Sequence, residues 1–175
     1  DPLQSLDRTG RVIYVGSFSK VLLPTLRMGF LVAPASLRSA LLTAKQLTDW
    51  HGDLIAQAAL ARFIERGLLA RHIRKVMRVY AARHARILES LERRCGRRLR
   101  AIPSAAGLHL AAVAEGTPAH VRRVVDRARG EGVRIGVLSD YSLGASRDTG
   151  FVIGYGAIPS SRIDDGLRQL AAGFV

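Results

Sequence analysis

The sequence predicts an α/β protein in which a piece of one sheet is followed by helices and then by a smaller α/β layer. Two apolar, β-branched runs, residues 12–15 and 28–33, are typical of strands. Apolar residues then recur at helical spacing as far as residue 94, and strand-like patterns return near residue 100. The predicted order is two strands, three helices, and then β-β-α-β-β-α.

The two apolar runs at the front are of the kind that is buried in a parallel sheet. Pro34 ends the second run. Because two strands are too few to form a covered parallel sheet, we expect residues that precede Asp1 to belong to the same domain.

The three predicted helices cover residues 35–50, 54–66 and 68–94, and Gly96 is expected to end the third. In the third helix, apolar residues such as Ile73 and Leu91 form one stripe, whereas most arginines fall on other faces. This pattern predicts a long amphipathic helix with a solvated basic side. The alternative is that the basic side meets DNA or an acidic partner domain.

The C-terminal layer has predicted strands at 100–102, 108–113, 133–137 and 151–155, and predicted helices at 117–129 and 160–172. Thr117 followed by Pro118 favours a helix start, since the hydroxyl can cap the helix and proline lacks an amide that would be free anyway. On the second of these strands we expect His109 to be buried and hydrogen bonded. The alternative is that His109 and Tyr141 face a cleft.

Composition limits the classes of function. The chain has 175 residues, is 48% apolar, and carries a formal charge of +13, so it fits a globular protein. It has no apolar run long enough to cross a membrane and no secretory signal, which predicts a cytoplasmic protein without a membrane span. Its one cysteine, Cys95, and five scattered histidines predict no disulfide framework and no metal site.

One lysine stands out in the segment that joins the first two strands. The chain has 27 basic residues, but its only lysines are Lys20, Lys45 and Lys75. Lys20 lies at the carboxyl end of the first predicted strand, where α/β sheets place their ligands. Ser17, Ser19 and Arg27 lie close to it in sequence and could surround a phosphate. Lys20 is then either a fixed counter-charge or an amine nucleophile toward an aldehyde cofactor.

The segment GSFSKVLLPTLRMGFLVAP, residues 16–34, resembles the lysine motif of fold-type I pyridoxal phosphate enzymes. In this form it is similar to MocR-type regulators of the GntR family, which join a winged helix-turn-helix DNA-binding domain to an aminotransferase-like domain. Segments 3–10, 57–72, 74–83, 106–110 and 154–158 resemble the same family. The resemblance covers essentially the whole chain and implies the C-terminal portion of that fold-type I domain.

The resemblance also implies roles for individual residues. Lys20 would form the internal aldimine with pyridoxal 5'-phosphate, and Ser17, Ser19 and Arg27 would hold the cofactor phosphate. The alternatives are a structural or phosphate-binding lysine, an interdomain ion pair for Arg27, and a tight loop that simply favours small hydroxyl residues. Residues 1–67 would end the large cofactor-binding domain, 68–98 would form a connecting helix, and 99–175 would form the small C-terminal domain.

Two departures from the family pattern matter. In the family, the aspartate at the pyridine nitrogen, a ring-stacking residue and an asparagine come from segments before those present here, so we expect an incomplete site with little stable cofactor binding. No winged-helix segment is present, so we expect no specific operator binding by these residues. The usual carboxylate-binding arginine is missing from residues 151–155. Arg134 or Arg147 substitutes for it, or both are simply solvated.

The leading hypothesis is a transcriptional regulator that senses pyridoxal 5'-phosphate, or an amino compound bound to it, through an aldimine at Lys20. The resemblance implies a homodimer that binds operator DNA through an N-terminal domain and responds to a small amino-compound effector. The competing hypothesis is an aminotransferase that acts on amino acids, with Lys20 as general base. A third is a folded remnant that binds no ligand.

Overall fold

The protein's structure, a computed structural model, describes residues 2–104, 107–144 and 149–174. It divides into two compact units, an N-terminal unit, Asp1–Val76, and a C-terminal unit, Met77–Val175, and the boundary falls inside the longest helix. The first elements are α1 (Leu3–Leu6), β1 (Tyr14–Ser17), β2 (Gly29–Val32), α2 (Arg38–Asp49), α3 (Leu54–Glu65) and α4 (Leu68–Cys95). They are followed by β3 (Leu99–Ala101), β4 (His109–Ala114), α5 (Pro118–Gly130), β5 (Gly136–Val137), β6 (Gly150–Gly154) and α6 (Ile163–Ala172).

The N-terminal unit contains a two-stranded sheet that differs from the sequence prediction. β1 and β2 pair antiparallel, with Tyr14 opposite Val32 and Ser17 opposite Gly29. Parallel pairing was therefore the wrong expectation. A parallel pair needs a crossover of a dozen or more residues, whereas 18–28 contains only one 3-10 turn, Pro24–Leu26. Nor are the strands buried, since nearly all of their side chains are exposed.

The helices of the N-terminal unit follow the predicted periodicity closely. α2 begins after a 3-10 turn, Ala35–Leu37, and α3 begins at an N-cap, Asp53, whose side chain accepts a hydrogen bond of 2.9 Å from the Ala56 amide. Gly67 separates α3 from α4 with φ of +68°, a conformation that glycine adopts without strain. The three predicted helices are thus confirmed.

The C-terminal unit is a four-stranded antiparallel sheet with the strand order β3-β4-β6-β5. Along β4, Leu110, Ala112 and Ala114 are buried on one face. They pack in a single hydrophobic core with residues of three helices. From α4, α5 and α6 the core includes Ile87, Leu91, Val121, Val124, Ile163 and Leu170. The order β-β-α-β-β-α predicted for this layer is confirmed.

Two local predictions in the C-terminal unit were wrong. The strand expected at 133–137 is reduced to Gly136–Val137, because the Val133 amide still donates to the Ala128 carbonyl and so belongs to the end of α5. His109 is exposed rather than buried. Alternation along a strand explains this, because burial of Leu110 directs its neighbour to the opposite face.

Helix α4 is amphipathic, as predicted, and part of its basic side is neutralised. Its buried residues, Ile87, Ser90, Leu91 and Cys95, lie on one face in the C-terminal unit. On another face, the guanidinium groups of Arg86 and Arg93 contact the carboxylate of Asp164 at the start of α6. Hydrogen bonding from Arg86 is the main cause that holds the pKa of Asp164 below its usual value. Burial raises the pKa of the Cys95 thiol.

Candidate functional site

The segment that carries Lys20 forms a tight turn at the end of β1. The Phe18 amide donates to the Met28 carbonyl at 3.0 Å, which extends the pairing of the two strands by one bond. The Phe18 carbonyl then accepts from the amides of Val21 and Leu22, at 3.2 and 2.8 Å. These bonds close a turn around Lys20, and the lysine side chain is exposed. We call residues 18–22 the lysine turn.

Ser17 directly precedes the lysine turn, Ser19 lies within it, and Arg27 lies at the end of the 3-10 turn that leads into β2. The Ser17 hydroxyl accepts a hydrogen bond of 3.2 Å from the Ser19 amide, so the two residues with the predicted phosphate hydroxyls are adjacent. Ser17 and Arg27 are exposed, and Ser19 is half-buried. Among the described residues, the side chains of Lys20 and Arg27 have no hydrogen-bond or ion-pair partner. Both cations are therefore available to a ligand.

Arg27 has an unusual backbone conformation. Its φ is +48°, in the left-handed region, at the end of the 3-10 turn that leads into β2. Only a few per cent of residues other than glycine adopt such a value, and they concentrate at functional sites. The chain thus places an arginine, rather than the glycine that would suit the backbone, beside the strand end that carries Lys20.

Aromatic rings support the end of the hairpin. The rings of Phe18 and Phe30 lie 5.4 Å apart between centroids, and Phe30 lies 5.8 Å from Tyr14. Phe18 therefore packs against β2. A methyl group at Gly16 would overlap the Phe30 ring, and one at Gly29 would lie 2.7 Å from the Gly16 carbonyl oxygen. Both glycines are explained by packing within the hairpin.

Asp7 fixes the segment that enters β1. Its carboxylate accepts from the amides of Thr9, Arg11 and Val12 at 2.9, 2.6 and 2.7 Å, and from the Thr9 hydroxyl. These bonds, first the one from the Thr9 amide, lower the pKa of Asp7 to about 2. The spacing Asp-x-Thr, typical of a side chain that bonds to the backbone two residues on, was the available signal.

His72, near the start of α4, contacts the lysine turn. Its Nε2 lies 2.9 Å from the Val21 carbonyl oxygen, and the side chain is half-buried. A carbonyl oxygen only accepts, so Nε2 carries the hydrogen and donates. Next to this contact is an open apolar groove of about 490 Å³ that Leu22, Leu23, Leu26, Leu60, Phe63 and His72 help to line. No local sequence signal links residues that are 51 positions apart, so this contact could not be predicted from the sequence.

The C-terminal unit contains the other predicted site residue that the structure describes. Arg134 is exposed and lines a groove of about 410 Å³ that is also lined by Glu131, Arg162, Asp165 and Arg168. Arg168 pairs with Asp165 at 3.1 Å, whereas Arg134 has no ion-pair partner among the described residues. Arg147 lies outside the described residues.

An arginine of α4 holds the segment that directly follows β6. Arg83 Nη1 donates to the carbonyls of Tyr155 and Gly156 at 3.2 and 2.6 Å. The Tyr155 hydroxyl donates to the Gly107 carbonyl at 2.9 Å.

In residues 2–104, 107–144 and 149–174, no three His, Cys, Asp or Glu side chains are grouped as metal ligands would be. No helix in these same ranges is long and apolar enough to cross a membrane.

Comparison with known proteins identifies relatives over the whole chain. No family model matches it. It is 35% identical over 174 residues to the probable rhizopine catabolism regulatory protein MocR of Rhizobium meliloti, covering 99% of this chain and 35% of the relative. It is 33% identical over 168 residues to the uncharacterized HTH-type transcriptional regulator YhdI of Bacillus subtilis, covering 96% and 36%. The chain thus spans about a third of the length of these curated relatives.

Solved structures agree on the fold. The multiple substrate aminotransferase of Thermococcus profundus superposes with a TM-score of 0.85 at 28% identity, over 98% of this chain and 42% of that one. The kynurenine aminotransferase of Pyrococcus horikoshii superposes with a TM-score of 0.84 at 25% identity, over the same shares. The fold is that of part of a fold-type I, pyridoxal phosphate-dependent aminotransferase domain. The chain corresponds to the C-terminal part of the aminotransferase-like domain of the MocR-type regulators of the GntR family.

Proposed function

We propose that this chain is part of the effector domain of a transcriptional regulator and that it contributes the lysine turn to a binding site for pyridoxal 5'-phosphate. The observation that supports this most strongly is the arrangement of Lys20 and Arg27, two exposed cations that have no partner among the described residues, near the hydroxyls of Ser17 and Ser19. This donor set fits a phosphate with an aldehyde near it. The solved kynurenine aminotransferase contains the amine form of this cofactor, PMP.

In this proposal the residues have separate tasks. Arg27, with its guanidinium, and the hydroxyls of Ser17 and Ser19 bind the phosphate, because charge-assisted hydrogen bonds to phosphate oxygens are stronger than neutral ones. Lys20 would supply the primary amine that condenses with the aldehyde, with release of water. When bound, the cofactor supplies an aldehyde that distinguishes amino compounds from other small molecules.

The functional division that we propose assigns residues 1–67 to the cofactor-binding part, 68–98 to the connecting helix, and 99–175 to the small domain. Arg134 and Arg147 are the proposed contacts for a carboxylate of the effector. We propose a cytoplasmic homodimer that binds operator DNA through an N-terminal domain, because a relative is an HTH-type transcriptional regulator. An amino-compound effector would shift the domain between two arrangements by its differential affinity for them.

The chain carries its own control for a test of Lys20, because its only other lysines are Lys45 and Lys75. The chain is incubated with pyridoxal 5'-phosphate and reduced with borohydride, and modification of each lysine is counted by mass spectrometry. Trapping detects weak binding, so selectivity rather than affinity is measured. We expect modification mainly at Lys20. Equal modification of all three lysines would contradict the proposal.

Arg27→Gln tests the phosphate contact in the same assay. A hydrogen bond to a charged group contributes about 1.5–3 kcal/mol, so its loss should weaken the preference for Lys20 by roughly 10- to 100-fold. Arg38→Gln, an exposed arginine at the start of α2, is the matched control and should leave the preference unchanged. An unchanged preference in Arg27→Gln would remove Arg27 from the site.

The second candidate function is an aminotransferase. The likeness to the Thermococcus profundus enzyme, at 28% identity over 98% of this chain, favours it. The two functions differ in turnover. Amino-acid turnover by the full-length protein at about 1 per second or faster is typical of an enzyme and would favour the aminotransferase over the sensor.

A further inference from the structure

His72 contacts the backbone of Val21, the residue that directly follows Lys20. The lysine turn is closed on one side by the bond from the Val21 amide to the Phe18 carbonyl, at 3.2 Å. On the other side of the same residue, the Val21 carbonyl accepts from His72 Nε2 at 2.9 Å. Both polar backbone groups of the residue directly after Lys20 are therefore bonded, and the second bond comes from a different element, α4.

We propose that His72 is a positioning residue for Lys20, which it holds in place by fixing the Val21 carbonyl from helix α4. This inference rests on the proposed function, because only that function gives Lys20 a task. The hydrogen bond from His72 to the Val21 carbonyl, which we call the tether, does not depend on any ligand. Because a single turn of chain has few bonds of its own, loss of the bond from His72 should let residues 18–22 sample other conformations.

The surroundings of His72 favour such a tether. Leu22, Leu23, Leu26 and Phe63 line the groove beside the imidazole, so one flank of the contact is apolar. A hydrogen bond in an environment with few polar groups is electrostatically stronger than one in water. On the helix side, the backbone anchors the start of α4, because the Arg71 amide donates to the Gly67 carbonyl at 3.2 Å. The donor is thus presented by a regular helix.

A merely structural histidine predicts a different set of consequences. If His72 only fills space, an apolar side chain of similar size should preserve the lysine turn. Any loss of stability should then be spread over the whole unit. If His72 acts as a donor, His72→Leu should loosen the lysine turn selectively, and His72→Gln, whose amide nitrogen also donates, should restore most of the order. Arg71→Ala, at an exposed neighbouring position on α4, is the matched control.

The experiment measures amide hydrogen exchange in this chain by NMR, without any cofactor. We expect His72→Leu to accelerate exchange of the Val21 and Leu22 amides by roughly 3- to 10-fold relative to the paired amides of β1 and β2. His72→Gln and Arg71→Ala should stay near the wild-type ratio. An unchanged ratio in His72→Leu, an equal acceleration throughout the hairpin, or a glutamine variant no better than leucine would each overturn the proposal.

A second measurement keeps the positioning role separate from cofactor binding. The same variants are trapped with pyridoxal 5'-phosphate and borohydride, with Lys45 and Lys75 as internal references. His72→Leu should lower the share of modification at Lys20 by roughly 3- to 10-fold, and His72→Gln should recover it. Wild-type chain without selectivity for Lys20 would refute the proposed function alone, because the exchange ratio still tests the tether. Selectivity retained in His72→Leu would refute the positioning role alone.

Discussion

Leu110 provides the sharpest test of the C-terminal core. It is the second residue of β4, is 0% exposed, and packs with residues of α4, α5 and α6. Leu110→Ala removes three carbon atoms, worth about 0.8 kcal/mol each in transfer free energy, and leaves a cavity that adds roughly 1 kcal/mol or more. We therefore expect the free energy of unfolding of the C-terminal unit to fall by about 3–4 kcal/mol.

The same substitution on the surface is the matched control, because Leu143 is fully exposed, at 111% of its reference area. Leu143→Ala should change stability by less than about 0.5 kcal/mol. Exchange of the β4 and β6 amides, measured under conditions where it reports opening equilibria, should accelerate by about 100- to 1,000-fold in Leu110→Ala. A cost below about 1 kcal/mol, or one equal to that of Leu143→Ala, would refute the assignment of this core.

Two further predictions concern the segments that support the lysine turn. The pKa of Asp7 is about 2 in the folded chain and near 3.9 when unfolded, so its stabilisation is present above about pH 4 and is lost as the pH falls through about 2. The difference in urea midpoint between wild type and Asp7→Asn should thus shrink from pH 5 to pH 2, and a constant difference would contradict it. Gly29→Ala places a methyl group 2.7 Å from the Gly16 carbonyl oxygen and should cost about 1–3 kcal/mol in urea unfolding. In Gly130→Ala the added methyl group meets no atom within 4 Å, so this variant should not lose stability. Equal urea midpoints for the two variants would refute the packing argument.

Sequence alone predicted the helices well because their signal is local and repeated. α3 and α4 begin within a residue of the predicted positions, and the Thr117 hydroxyl accepts from the His120 amide at 3.2 Å as an N-cap should. The predictions of strand direction and of strand length failed, because these features depend on the partner strand or on one residue. An apolar run does not reveal the direction of its neighbour, so the antiparallel hairpin was missed.

In the candidate site, too, local features could be predicted from the sequence and long-range contacts could not. Ser17, Ser19, Lys20 and Arg27 could be proposed as site residues because they lie in one continuous motif that resembles a family. The groups that fix this motif were not found. His72 is 51 residues from Val21, and only the folded chain brings its ring to the carbonyl. Contacts of this kind depend on how α4 packs, and packing has no signature in a single sequence.

The two units are stabilised by different interactions, and this difference matters for the proposed sensor. Among the described residues, every buried side chain belongs to the C-terminal unit. The lysine turn, in the N-terminal unit, is ordered instead by hairpin pairing and by hydrogen bonds from backbone amides and His72. Each such bond contributes only about 1 kcal/mol net, so few of them separate one arrangement of the turn from another. We therefore expect that a ligand with a differential affinity of a few kcal/mol would be enough to change which arrangement of this turn is populated.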